Sequence, residues 1–74
     1  NPASDVVNFR FEKPIGKNAE IRVYSGLGQL VGETNVDYLT EAEMNVTEWN
    51  NGVYHYGIYV EERLVKQGQV LVQH

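Results

Sequence analysis

The sequence predicts an all-β domain, an Ig-like antiparallel β-sandwich of about seven short strands. Three observations carry that prediction. Apolar residues recur with period two rather than 3.6. The residues in those runs are mostly the β-favouring Val, Ile, Tyr, Phe and Thr. Turn formers interrupt the runs at roughly ten-residue spacing, as in a sandwich or small barrel.

The runs follow one another along the chain. Val7, Phe9 and Phe11 alternate with Asn8 and Arg10. Lys13-Pro14-Ile15-Gly16-Lys17-Asn18 then breaks the pattern, with Pro14 placed past the strand end, where its missing donor does no harm. Ala19, Ile21 and Val23 form the second run, and Ser25-Gly26-Leu27-Gly28 turns it into a third that starts at Leu30-Val31 and reaches Val36. Asp37 to Glu43 reads as a loop crossing between sheets, with at most one turn of helix. Met44 and Val46 mark the fourth run. Asn50-Asn51-Gly52 precedes the fifth, in which Tyr54, Tyr56, Ile58 and Val60 share a face opposite His55 and Tyr59. Glu61-Glu62-Arg63 is a hairpin tip. Leu64, Val65, Val70 and Val72 then mark one or two last strands, and Gly68 between them suggests a bulge or a break where a strand changes sheets. No internal repeat is visible.

The chain's 74 residues suit one domain, residues 1–74, and the absence of Cys excludes a disulfide scaffold and any thiolate chemistry. A net charge of −4 with six scattered basic residues gives no stripe for nucleic acid. No apolar run is long enough to span a bilayer. The chain opens Asn1-Pro2-Ala3-Ser4 without Met, which suggests a piece cut from a longer protein.

Candidate chemical groups are sparse. His55 has no second ligand at metal spacing, so it reads as a strand residue facing solvent, and His74 is terminal. Asp37, Glu41, Glu43 and Glu48 lack the loop pattern of a calcium site and read as a solvated stretch. Ser25-Gly26-Leu27-Gly28 lacks the Lys-Ser/Thr ending of a phosphate loop. Asn45-Val46-Thr47 matches a glycosylation sequon, which reads as chance in a strand. Trp49 and the five Tyr residues could form a sugar platform, but Tyr54 and Tyr56 share a face with Ile58 and Val60, as core residues do; Tyr59 is the better candidate for an exposed aromatic. No catalytic constellation, metal set or cofactor site is expected.

Four landmarks in order give the chain its individuality. Asn1-Pro2-Ala3-Ser4-Asp5 opens it. Val23-Tyr24-Ser25-Gly26-Leu27-Gly28-Gln29-Leu30-Val31 follows, then Gly52-Val53-Tyr54, then Lys66-Gln67-Gly68-Gln69-Val70-Leu71-Val72. Over essentially the whole chain this resembles the C-terminal sorting domain of the type IX secretion system of Bacteroidota. Trp49 stands where that family usually has Leu, and Gln69 where Lys is common.

The resemblance implies an address rather than an activity. Such a domain follows a cargo domain, carries it from the periplasm across the outer membrane to the cell surface, and is usually removed by a sortase-like peptidase. Its implied partners are the outer-membrane translocon, shuttle proteins, that peptidase and the attached N-terminal cargo. The implied recognition residues are Asn1, Pro2, Gly28, Gly52, Val53, Tyr54, Lys66, Gly68, Val70 and Val72. Edge-strand pairing by the run from Gln69 to Gln73 is the physical mechanism expected for recognition. The competing reading is an Ig-like or fibronectin-like module that binds carbohydrate or protein at the cell surface.

Overall fold

A computed structural model describes residues 3–74. Its strands are β1 (Val6–Arg10), β2 (Ala19–Tyr24), β3 (Leu30–Asn35), β4 (Glu41–Asn45), β5 (Gly52–Val60) and β6 (Arg63–Val72). They form a four-stranded sheet in the order β3-β2-β5-β6 and a two-stranded sheet β1-β4. Every strand pairing is antiparallel, and the two sheets make a sandwich-like fold.

The period-two pattern decides which residues face inward. Ala19, Ile21 and Val23 of β2 lie opposite Val60, Ile58 and Tyr56 of β5, all on the inner face. Tyr54 and Ile58 of β5, Phe9 of β1 and Val72 of β6 are buried with them. Among the described residues the buried set contains no polar or charged side chain. His55 and Tyr59 face outward, as the alternation predicts.

Two corners of the same construction join the sheets. At Asn35-Val36-Asp37 the Asn35 Oδ1 accepts from the Asp37 N–H at 3.0 Å, and at Asn45-Val46-Thr47 the Asn45 Oδ1 accepts from the Thr47 N–H at 2.9 Å. Each central Val donates its N–H to a neighbouring strand or bend, Val36 to Ala19 and Val46 to Asp5. Each Val carbonyl then closes a turn three residues on, to Leu39 and to Trp49. An Asn side chain is suited to this because it satisfies the backbone locally while the chain leaves its ladder. Both valines are fully buried. The motif is a short repeat that composition and period do not disclose, and it explains the Asn45-Val46-Thr47 pattern as turn chemistry.

The described residues form six strands, in keeping with the expected sandwich of about seven. Two other expectations need correction. Residues 37 to 43 contain no helical turn; after the Val36 corner the chain enters β4 at Glu41. Gly68 is neither a bulge nor a break, because β6 runs through it without interruption. The irregularity lies elsewhere, where the β5–β6 register shifts between Ile58 and Tyr59 and Val65 is left without a partner.

Gly68 has a different reason. A Cβ there would stand 2.7 Å from the Tyr56 ring, which crosses the glycine on its way to an edge-on contact with Phe9. Gly57 and Gly32 repeat the device. A Cβ on Gly57 would meet Tyr59 at 2.8 Å, and one on Gly32 would meet Met44 at 2.9 Å and Trp49 at 3.0 Å. A strand glycine of this kind marks the place where a large neighbour needs room.

Candidate functional site

Sequence landmarks that lie far apart meet at one end of the four-stranded sheet. Gly52, Val53 and Tyr54 open β5 and pair with Val72, Leu71 and Val70 at the end of β6. The β2–β3 turn lies alongside, with Gly26 packed near the Val53 carbonyl. Ala3 joins from the opposite side, its N–H donating to the Leu71 carbonyl and its carbonyl accepting from Gln73, both at 2.8 Å. Asn1 and Pro2 lie outside the described residues.

Local chemistry holds this end in shape. In the turn, Ser25 Oγ accepts from the N–H groups of Leu27 and Gln29, and Gly28 donates to the Ser25 carbonyl. Gly28 sits at φ +85°, a conformation that a residue with a Cβ adopts only with strain. Beneath, Trp49 packs on Tyr54 with ring centroids 4.9 Å apart, and the Tyr54 hydroxyl donates to the Asn50 carbonyl at 2.6 Å. His74 folds back over the same corner, its N–H donating to Asn51 Oδ1 at 2.9 Å and its Nε2 lying 2.7 Å from the Trp49 carbonyl.

Most of the expected recognition residues belong to this end, with distinct roles. Tyr54, Val70 and Val72 point into the sandwich, and Val72 is only 1% exposed, so they hold the strands in place. Gly28 shapes the turn and Val53 faces solvent. Gly68 lies midway along β6, and Lys66 opposite Ile58 lies about 20 Å from Val72 at roughly 3.4 Å per residue.

Sequence reasoning singled out Val53 and the run through Leu71 but missed the exposed Leu27 and Leu30. Leu30, on β3 opposite Tyr24, and Leu71, on β6 opposite Val53, are exposed on the two outermost strands of the sheet. Leu27, at the tip of the turn, is 91% exposed. Its place between Gly26 and Gly28 was the one available signal, since a leucine flanked by turn glycines has no strand face to bury.

The other aromatic residues are engaged. Tyr56 lies against Phe9. Tyr59 is covered rather than free: the Arg22 guanidinium lies 4.3 Å from its ring centroid. Arg22 is in turn held by Glu20 and by Glu62, the latter at 2.9 Å. Burial acts to lower the Arg22 pKa, but hydrogen bonding and charge from Glu20 and then Glu62 outweigh it, and the net shift is upward.

Burial, and then the contact with Tyr24, raise the Tyr59 pKa above its ordinary value of 10.0, against the opposing charge of Arg22. The fold therefore favours the neutral phenol. Its contribution to stability is complete below the unfolded pKa and is lost as pH rises through the higher folded value. Urea midpoints measured from about pH 9 to about pH 12 should fall with pH, and Tyr59→Phe should flatten that fall. An unchanged slope in the variant would remove Tyr59 from the account.

Among the described residues there is no group of three or more His, Asp or Glu side chains able to hold a metal ion. The arrangement is one of exposed strand edges and a shaped, partly apolar end. The family model described as "Secretion system C-terminal sorting domain" matches residues 1–73. Comparison with curated proteins and with solved structures gives no significant match.

Proposed function

The chain belongs to the family of secretion system C-terminal sorting domains, and from that premise we propose that it directs an attached cargo domain through the type IX secretion system and across the outer membrane. In this reading the translocon and its shuttle proteins recognise the domain as it passes from the periplasm to the cell surface. A sortase-like peptidase then removes it from its cargo.

The observation that carries the proposal is the convergence of landmarks. The β2–β3 turn, the start of β5 and the end of β6 come from three parts of the chain and form one surface. Leu27, Leu30, Val53 and Leu71 are its exposed contacts. Exposed apolar side chains gathered at one end of a small domain mark a candidate protein interface. The buried Tyr54 and Val72 and the partly buried Val70 keep the turn and strands in register beneath it.

The test uses the whole chain fused to a fluorescent periplasmic reporter in a type IX-competent host, with and without the secretion machinery. Leu27→Ser, Val53→Thr and Leu71→Thr alter the outer surface at positions where substitutions usually change stability by less than about 0.5 kcal/mol each. The intact fusion should reach the cell surface only when the machinery is present, and the triple variant should remain in the periplasm. Surface delivery of the triple variant at the level of the intact fusion would overturn the assignment of this end. Deleting residues 67 to 74 is a poorer test, because it removes Val72 from the core.

A further inference from the structure

We propose that the cleft between β1 and β6 is an acceptor site for one extended strand from another polypeptide, with apolar residues at alternate positions and a carboxylate at one end. The inference rests on the cleft and holds whether or not the sorting assignment does.

The cleft arises from the course of the chain. Ala3 pairs beside the end of β6, the chain bends at Ser4 and Asp5, and β1 then joins the other sheet. Phe9 rests on Tyr56, the register partner of Gly68, so β1 returns along β6 without pairing to it. Between the two strands lies an open cavity of about 560 Å³. Residues 6–11 all line it, so both alternating faces of β1 are present and the cavity runs along the strand's edge.

Hydrogen-bond parity shows what that edge offers. Phe11 donates to Thr40 and Val46 donates to Asp5, so the odd-numbered residues of β1 carry the ladder to β4. The N–H and C=O groups of Val6, Asn8 and Arg10 therefore face the cleft. On β6, Leu71 and Gln73 turn their backbone groups to Ala3, away from β5. By the same alternation, the backbone of Gln69, which lines the cleft, faces into it. Two strand edges thus open onto one space, with Phe9 and Tyr56 as its apolar lining. The six-stranded sandwich has room here for a further strand. Unpaired edges are the feature that added strands exploit.

Charge selects the occupant. Arg10 and Lys66 both line the cleft, and no carboxylate does. Among the described residues neither is in an ion pair. Lys66 is opposite the core residue Ile58, so it is a charged residue on the inner face of an edge strand. Such a residue discourages pairing with a neutral or basic strand. A carboxylate that pairs with Lys66 removes that obstacle, and Arg10 adds a second positive charge to the lining of the same cleft.

The probes are two nine-residue synthetic peptides in which valine alternates with threonine, one ending and one beginning with two glutamates. A third has lysines in place of the glutamates. Amide NMR titration of the whole chain should show saturable shifts at Val6, Asn8, Arg10 and Gln69 with at least one acidic peptide, and slower hydrogen exchange there. Arg10→Glu with Lys66→Glu should weaken that binding about tenfold or more and give binding to the lysine peptide. An unchanged melting temperature would confirm that the double variant is folded, as expected for two exposed residues. If the double variant does not fold, Lys66→Gln alone should still weaken acidic-peptide binding. Absence of saturable binding, equal binding of the lysine peptide, or shifts away from the cleft would each overturn the proposal. Concentration-dependent dimerisation with the same shifts and no peptide would also overturn it, by making a second copy the occupant.

Discussion

Ile21→Ala should lower the unfolding free energy by about 2–5 kcal/mol. Ile21 is fully buried, opposite Thr34 on one side and Ile58 on the other, so it joins three strands of the larger sheet. At 0.05–0.15 kcal/mol per residue, a domain of this length has roughly 4–11 kcal/mol in all. The loss therefore removes a large fraction of the total, and a measurable part of the population should unfold at body temperature. Urea denaturation followed by tryptophan fluorescence tests this, since Trp49 is the one Trp in the chain and is packed against the core. The midpoint should fall with little change in slope. Val31→Ala, at an exposed position on β3, is the control and should stay within about 0.5 kcal/mol. Equal effects from the two substitutions would mean that β2 is not the centre of the core.

Gly68→Ala should cost about 1–3 kcal/mol, although alanine is ordinarily harmless in a strand. The added Cβ would meet the Tyr56 ring at 2.7 Å, and Phe9 limits where that ring can go. If that contact is the cause, Tyr56→Leu should recover part of the loss in the Gly68→Ala background. A double-mutant cycle would then show a coupling above about 0.5 kcal/mol. A Gly68→Ala protein as stable as the parent would show that Tyr56 swings aside freely and that Gly68 has no structural role.

These two residues also show how far the sequence could be read. Ile21 is readable because its neighbours Ala19 and Val23 share its parity, and parity alone assigns a strand residue to a face. The same rule placed Tyr54, Tyr56, Ile58 and His55 on their observed sides. Gly68 was not readable. A glycine in a strand pattern signals a bulge or a close approach, and choosing between them requires knowing that Tyr56 is its cross-strand neighbour. That pairing depends on register, which a single strand does not contain.

The candidate site divides in the same way. The turn at Gly28 and the opening of β5 are local and stand out as residue patterns, while their meeting at one end of the sheet follows from β2 pairing with β5 across the whole of β3 and β4. The cleft is further still from view. Arg10 and Lys66 are 56 positions apart in the chain and line one space because, among the described residues, no strand pairs with the second edge of β1 or with that of β6 beyond the Ala3 bridge.

The bridge between Ala3 and Val72 has a mechanical consequence. The two segments run parallel, and their hydrogen bonds join Ala3 to Leu71 and to Gln73. A pull that enters the chain before Ala3 and leaves it beyond Gln73 draws the two segments past each other. Both bonds then bear the load together in shear instead of opening one after the other like a zipper. A domain towed by its partner at the β6 end, with a cargo dragging behind, would meet that tension in its more resistant direction.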